Sequence, residues 1–190
     1  MLRETRLIRP VLISFFALAA VFFTGHVFAG AITQGYKAAT PLQKGTIVSL
    51  TQSGSQEVEK TNTNNDVLLV GVVVGSEDAL VDLLPQGSQV RVAVSGEVSL
   101  LVSTINGDIN AGERLISTPL SGVAGRDYPP APGAKYIAVA NTSFSSTTAG
   151  AKKITINQND GSKKDVYLGV IPVKLLLGSR TVGVKRSEEH

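Results

Sequence analysis

The stretch that decides the fold runs from Gln89 to Gly125 and reads QVRVAVSGEVSLLVSTINGDINAGERLISTPLSGVAG. Apolar and polar residues alternate from Val90 to Ser95, and alternate again from Val98 to Val102 after Gly96 interrupts the run. This period of two predicts strands that bury one face. Three turns and one more strand complete the stretch: Asn106-Gly107-Asp108, Ala111-Gly112-Glu113, Ser121-Gly122 and the strand Leu115–Thr118. The stretch therefore predicts an all-β fold of short strands.

The flanking sequence predicts further strands and one short helix. Val67 to Val74 is a run of apolar, mostly β-branched residues, typical of a strand buried on both faces. Ser76 to Leu84 begins with a hydroxyl and two acids and carries leucines on one side, which predicts one or two helical turns. An extended conformation of Ala79 to Leu84 stays open. The remaining predicted strands are Thr46–Leu50, Gln56–Lys60, Tyr136–Ala140, Lys153–Asn157, Asp165–Val170 and Val173–Leu177, with a hairpin turn at Asn159-Asp160-Gly161 and an edge or bend at Pro172.

The N-terminus has the pattern of an export signal. Three arginines among the first nine residues precede Val11 to Thr24, a run without charge. Small residues before Gly30 predict cleavage between Ala29 and Gly30. If the segment stays attached, Val11 to Ala29 forms a hydrophobic helix of 19 residues, long enough to span a bilayer. The arginines favour the cytoplasmic side, so the body is expected outside the cytoplasmic membrane, either secreted or anchored.

The chain divides into four predicted parts. Residues 1–29 are the signal peptide or membrane anchor, 30–41 a small polar spacer, 42–178 a single β-rich extracytoplasmic domain, and 179–190 a charged disordered tail. Removing residues 1–29 leaves 15 basic and 14 acidic residues, and a near-neutral body argues against nucleic acid as a partner. The chain has no cysteine, which excludes disulfides and thiolate chemistry.

The distribution of reactive side chains argues against catalysis. The two histidines, His26 and His190, lie near the ends of the chain, so the body has no Ser–His–Asp triad and no histidine metal site. No glycine-rich phosphate loop is present. The sequence therefore predicts a protein with no catalytic residues, no cofactor and no metal, and a Ser–Lys or autoproteolytic hydrolase remains as an alternative.

Acidic and amide side chains are more simply explained by local structure. Glu77 with Asp78 and Asp108 with Glu113 lie in turns or at the predicted helix start, where carboxylates cap backbone amides. Calcium is the least excluded ion, because four oxygen-bearing residues crowd one turn, but a hairpin explains them without a metal. Those four residues are Asn157, Asn159, Asp160 and Asp165.

One internal echo carries a family resemblance. Leu42–Val48 (LQKGTIV) and Ile109–Leu115 (INAGERL) share an apolar residue, a glycine three later and an aliphatic residue three after that. A glycine turn that enters a strand in a small β domain resembles the β-clip (SAF-like) domains of pilus-assembly and phage tail-appendage proteins. The resemblance covers Pro41–Leu50 and Gln89–Gly125 and implies a compact barrel-like or β-clip domain. Some appendage domains of this kind are autoproteolytic, but no cleavage residue can be matched here.

These features predict an exported or membrane-tethered, non-enzymatic β domain with a structural role in a bacterial envelope or surface-appendage assembly. Its expected partners are the membrane and envelope or appendage proteins, and a homo-oligomer stays open. The alternative is a secreted module that binds a glycan or a peptide through loops such as Asp127–Gly133. In that interpretation Tyr128 and Tyr136 are the candidate ligand contacts, because aromatic rings provide binding platforms.

Overall fold

The computed structural model describes residues 30–130, 135–158 and 161–179, so the predicted N-terminal hydrophobic helix lies outside the described residues. The described chain is all-β, as predicted, with 3₁₀ turns at Asp66–Leu68 and Ser76–Asp78. No helix in these ranges has the length and apolar character needed to cross a membrane. The strands are β1 (Ala31–Ala38), β2 (Ile47–Leu50), β3 (Glu57–Lys60), β4 (Leu69–Val74), β5 (Ala79–Leu83), β6 (Val90–Ser95), β7 (Glu97–Ser103), β8 (Arg114–Ser117), β9 (Ala124–Arg126), β10 (Lys135–Ala140), β11 (Lys152–Asn157) and β12 (Lys163–Ser179).

Five strands of the N-terminal half form a closed ring, the first barrel, in the order β3-β2-β4-β6-β1. Neighbours are antiparallel except at the closure, where β1 and β3 run parallel with Lys37 opposite Glu57. β5 lies outside the ring and pairs in parallel with β1 alone, so its other edge has no strand neighbour within the described residues. The predicted barrel-like architecture is therefore confirmed for this half.

The C-terminal half forms a second barrel with the same topology, in the order β10-β8-β9-β7-β12. Its parallel contact joins β7 and β9, where Val102 lies opposite Ala124, and β10 closes the ring against β12. The two rings correspond strand by strand, with the same relative directions between neighbours. The equivalent pairs are β1 and β7, β2 and β8, β3 and β9, β4 and β10, and β6 and β12. β11 lies outside the ring and pairs with β12. The described chain is therefore a tandem repeat of one five-stranded barrel.

The internal echo marks the same turn in both barrels. The Gly45 amide donates a 2.8 Å hydrogen bond to the Val73 carbonyl oxygen, and the Gly112 amide donates one of 2.7 Å to that of Ala140. The residue after each glycine accepts a 2.9 Å bond in return from the same partner. Both glycines have positive φ, +86° and +84°, a conformation that other residues adopt at a cost. The shared spacing thus reflects a shared backbone geometry.

β4 explains how the two barrels pack together. Its residues point alternately inward and outward, and Val72, Val73 and Val74 are all buried. Val72 and Val74 belong to a core cluster shared with the second barrel, whereas Val73 fills the first barrel. The predicted strand is confirmed for Leu69–Val74, and it is buried on both faces from Gly71 to Val74, whereas Leu69 and Val70 are half-buried. Val67 lies in the preceding 3₁₀ turn and is exposed. The interior of the first barrel is formed by Tyr36, Val48, Val58, Val73 and Val92.

Backbone hydrogen bonds also join the barrels. The Leu101 amide donates to the Gly45 carbonyl oxygen at 2.9 Å. Gly122 donates to Thr61 at 2.7 Å and accepts from Ile47 at 3.1 Å, which ties the loop before β9 to the first barrel. Shared core and shared backbone bonds hold the two barrels as one packed body.

The expected spacer, residues 30–41, is a structural element instead. Ala31–Ala38 form β1, which pairs with β3, β5 and β6. Its small and polar residues gave no apolar signal, yet Ala31 and Thr33 are fully buried because neighbouring strands cover them. Ala31–Ala38 therefore belong to the β structure, which the sequence predicted from residue 42 onward.

The expected helix over Ser76–Leu84 is replaced by a 3₁₀ turn and a strand. An acid does cap a backbone amide at the start of this segment, because the Gly75 amide donates a 3.0 Å hydrogen bond to Asp78 Oδ2. The turn ends at Asp78, and Ala79–Leu83 form β5 in parallel register with β1. The extended alternative for this segment is therefore the correct one, because pairing with β1 supplies backbone bonds to a segment too short for a stable helix.

The last two predicted strands merge into β12, which runs without interruption through Pro172. Pro172 lies opposite Ser99 of β7, and its carbonyl oxygen accepts a 3.0 Å hydrogen bond from the Asn141 amide. β12 changes neighbours along its length, pairing first with β11, then with β7, then with β10. The predicted tail, apart from Ser179 at the end of β12, lies outside the described residues, as do Asn159 and Asp160 of the predicted hairpin turn.

Candidate functional site

A cleft of about 520 Å³ lies at the junction of the two barrels, and we name it the inter-barrel cleft. The first barrel contributes Gly30, Lys44, Leu80 and the two acids of the 3₁₀ turn, Glu77 and Asp78. These residues converge because β1 begins beside β5, and the 3₁₀ turn leads directly into β5. The predicted cleavage site is thus adjacent to a surface cavity: Gly30 lines it, while Ala29 lies outside the described residues.

The second barrel closes the cleft with the outward-facing residues of β7 and β12. Glu97 and Ser99 come from β7, and Pro172 of β12 lies opposite Ser99. The cleft therefore combines hydroxyl and carboxylate groups with apolar surface from Pro172 and Leu80. Its volume is within the range of small-molecule and peptide sites.

Charges in the cleft are arranged around Lys44. Its Nζ lies 2.8 Å from Glu77 Oε1 and 2.8 Å from Asp78 Oδ2. The hydrogen bonds that Lys44 donates to Asp78 and to Glu77 raise the pKa of Lys44, and the bond it donates to Glu77 lowers the pKa of Glu77. The ammonium group is thus kept charged and engaged with both carboxylates.

This electrostatic arrangement bears on the Ser–Lys alternative. Ser99 and Lys44 line the same cleft, which is the grouping that a Ser–Lys hydrolase would need. A lysine that activates serine must be neutral, and therefore needs a lowered pKa. The pKa of Lys44 is shifted in the opposite direction, so Lys44 is poorly suited to accept a proton from Ser99.

The two candidate ligand-contact tyrosines differ sharply in exposure. Tyr128 is 57% exposed, with the Arg126 guanidinium 4.7 Å from its ring centre. Tyr136 is 4% exposed and lies in β10 beneath Arg114, 4.6 Å from its ring centre. Both rings therefore make cation–π contacts. Burial of Tyr136 argues against a binding surface shared by both rings, and a ligand contact at Tyr128 stays a prediction.

Other acidic positions are engaged in local contacts. Asp165 lies 2.6 Å from Lys153 Nζ, and the hydrogen bond from Lys153, together with a 2.7 Å bond from Thr155, lowers the pKa of Asp165. Glu113 bonds the Asn110 amide at 2.9 Å and Arg126 at 3.1 Å. Over residues 30–130, 135–158 and 161–179, no group of three acids or histidines could hold a metal ion.

The sequence did not reveal an exposed apolar surface beside the cleft, which we name the apolar edge. It consists of Ile32 of β1, of Leu80, Val81 and Leu83 of β5, and of Leu84, which directly follows β5. All five side chains are exposed. Ile32 lies directly opposite Val81 in the parallel pairing. The sequence predicts a short helix with these leucines on one side, so the error in secondary structure concealed the surface.

No protein-family model matches the chain, and no curated protein matches its sequence. Function is therefore inferred from the sequence pattern before Gly30, the inter-barrel cleft and the apolar edge.

Proposed function

We propose that this protein is an exported, membrane-tethered, non-enzymatic module with a structural role in a bacterial envelope or surface-appendage assembly. The observation that carries the proposal is the junction at Gly30. An arginine-flanked, uncharged segment typical of export precedes it, and β1 follows it at once. A rigid body attached directly to a membrane segment suits a structural component, because its position relative to the bilayer is restricted.

The tandem barrel supports this role. Two barrels that share a core and backbone hydrogen bonds present a fixed arrangement of surfaces to neighbouring proteins. We also propose that both barrels are of the β-clip type, and the equivalent turns at Gly45 and Gly112 support this assignment. Engagement of Lys44 by two carboxylates supports a non-enzymatic role for the cleft.

Export and assembly can be tested together on intact producing cells. Crosslinking followed by mass spectrometry should join this chain to envelope or appendage proteins, or to itself, and fractionation should find it with the membrane. Replacing Arg3, Arg6 and Arg9 with glutamate should keep the chain in the cytoplasm. A matched control replaces Lys37, Lys60 and Lys152, exposed lysines of the barrels, with the same residue and should leave export unchanged. A chain free in the medium that begins at Gly30, without crosslinks, would contradict the tethered structural role.

The inter-barrel cleft favours a second candidate, a secreted module that binds a glycan or a peptide. Its 520 Å³ volume and mixed apolar and acidic lining are suitable for a peptide side chain or a sugar ring. Release of the chain at Gly30, together with saturable binding of peptides or glycans in an array, would support this candidate. Binding that survives Leu80→Asp and Ser99→Asp would exclude the cleft as its site.

A further inference from the structure

The apolar edge holds half of the large exposed apolar side chains in the described residues, five of ten. Leu80 is 74% exposed and Leu83 is 58% exposed. Single exposed apolar residues are ordinary, but a contiguous group indicates an interaction surface. β5 is also an edge strand, and proteins usually protect such strands with charged residues or a covering partner.

The apolar edge lies where the chain enters the folded body. Ala31 is paired with Ala79, and a Cβ placed on Gly30 would lie 2.6 Å from Leu80 Cβ. The uncharged, export-type segment ends at Ala29, so a single residue separates it from β1. One residue of chain spans at most about 3.6 Å. A bilayer that holds this segment must therefore approach Leu80 and its neighbours.

We propose that the apolar edge is a membrane-docking surface that rests in the interfacial layer of the bilayer holding the N-terminal segment. This inference rests on the proposed tethering and adds a second point of attachment. Leu80, Val81, Leu83 and Leu84 provide the apolar contact, and Ile32 extends it onto β1. Two attachments hold the barrels in one orientation, whereas a single attachment at Gly30 would restrict their distance from the bilayer and leave them free to rotate.

The backbone limits how deeply the edge is inserted. Among the described strands, β5 bonds to β1 on one side only, so its outer amides and carbonyls need water or headgroups as partners. Unpaired backbone groups are costly in the hydrocarbon core. Side chains of β5 alternate between its two faces, with Leu80 on one face and Val81 and Leu83 on the other. The strand is therefore positioned with its free edge among headgroups, so that apolar side chains of both faces contact the boundary with the acyl chains.

Charge complementarity does not drive this docking. Asp82 lies within β5, and its Oδ2 is 2.8 Å from Arg91 Nε, while Lys44 is engaged by Glu77 and Asp78. Arg91 and Lys44 are thus engaged by these acids and are not free to attract anionic lipid. Contact through apolar side chains predicts docking on a zwitterionic bilayer, without enhancement by anionic lipid.

The absence of cysteine makes a direct test simple. Nitroxide labels are placed at Leu80→Cys, Leu83→Cys and Ser53→Cys in separate full-length chains reconstituted in phosphatidylcholine vesicles. Ser53 is the control because it lies far from the apolar edge. The turn region that contains it includes Gln56, whose carbonyl oxygen accepts a hydrogen bond from the Lys37 amide. Lys37 is six residues from Ala31 along β1, a distance of roughly 20 Å. The ratio of collisions with oxygen to collisions with a water-soluble nickel chelate should be severalfold higher at Leu80 and Leu83 than at Ser53.

The outcomes separate this inference from the proposal on which it rests. A full chain that does not float with the vesicles overturns both the tether and the docking surface. Flotation with equal collision ratios at all three positions overturns the docking surface and leaves the tether. The collision ratios at Leu80 and Leu83 could instead be high only at high protein density, with disulfides forming between Leu83→Cys chains. That result would assign the apolar edge to contact with a second copy and would also overturn the docking surface. High ratios at both positions that are independent of protein density and of added phosphatidylglycerol support the inference.

Discussion

The Leu101 amide donates a 2.9 Å hydrogen bond to the Gly45 carbonyl oxygen, and this bond joins the second barrel to the turn that opens β2 in the first. The same turn recurs at Gly112, where no atom lies within 4 Å of an added Cβ. At Gly45 an added Cβ would lie 3.2 Å from the Leu101 backbone nitrogen. The turn at Gly45 in the first barrel thus contacts the second barrel, whereas the equivalent turn at Gly112 has open space around it.

This difference predicts unequal effects of two similar substitutions. Gly112→Ala should lower the free energy of unfolding by about 1–2 kcal/mol, the usual cost of positive φ for a residue with a Cβ. Gly45→Ala has the same backbone cost and also crowds Leu101, so its loss should be larger. Urea unfolding of both variants measures the difference. Equal losses of stability would show that the contact between Gly45 and Leu101 adds nothing to the cost of the substitution.

Phe144 is the largest fully buried side chain of the described residues, and its ring lies directly above Gly169 of β12. Phe144→Ala should lower the free energy of unfolding by about 3–5 kcal/mol, because it leaves a cavity in the shared core. Val67→Ala is the control, since Val67 is 72% exposed and its truncation should change stability by less than about 0.5 kcal/mol. A small effect at Phe144 would contradict the packing of the second barrel.

Acid should weaken the contact between β5 and the first barrel through Asp82. A 2.8 Å hydrogen bond from Arg91, supported by a 2.6 Å bond from Thr33, lowers the pKa of Asp82 in the folded state. A lowered folded pKa adds stability above the unfolded pKa of about 3.9, and that stability is lost as pH falls through the folded pKa. Asp82→Asn should therefore lose less stability than the parent protein when pH is lowered from neutral to strongly acidic values.

Urea unfolding at several pH values measures this effect. Asp108→Asn is the matched control, because it removes an exposed carboxylate in a turn of the second barrel. Its acid response should follow that of the parent protein. If Asp82→Asn also follows the parent protein, the contact with Arg91 and Thr33 does not stabilise the fold.

The raised pKa of Lys44 predicts that Ser99 is chemically inert. A fluorophosphonate probe should not label the purified protein at neutral pH, because a protonated lysine cannot activate a serine. Ser99→Ala and Lys44→Met should leave the background labelling unchanged. Labelling that disappears in both variants would establish a Ser–Lys site in the inter-barrel cleft and overturn the non-enzymatic proposal.

Local signals predicted the strands of the central stretch well. Alternation around Val92 and Leu100 and the turn glycines Gly107 and Gly112 all depend on near neighbours in sequence, and the structure places strands and positive-φ turns there. Ala31–Ala38 gave no such signal, because burial of Ala31 and Thr33 depends on strands far along the chain.

The candidate site was less predictable for the same reason. Gly30, Lys44 and Ser99 are distant in sequence, and packing of the barrels brings them around one cleft. The apolar pattern at Leu80 and Leu83 is compatible with a helix or a strand, and pairing with β1 decides between them. A surface formed by that pairing could not be recognised before the pairing was known.

The sequence by itself determined the all-β class and the turn positions, because alternation and glycine conformation act over a few residues. It also determined the export-type pattern before Gly30, which depends on composition alone. Only the tertiary structure decided that the strands close into two equivalent barrels, that a cleft lies at their junction, and that β5 exposes its leucines. Those features require pairings between distant segments, such as β1 with β3 and β7 with β9, whose partners no local pattern specifies.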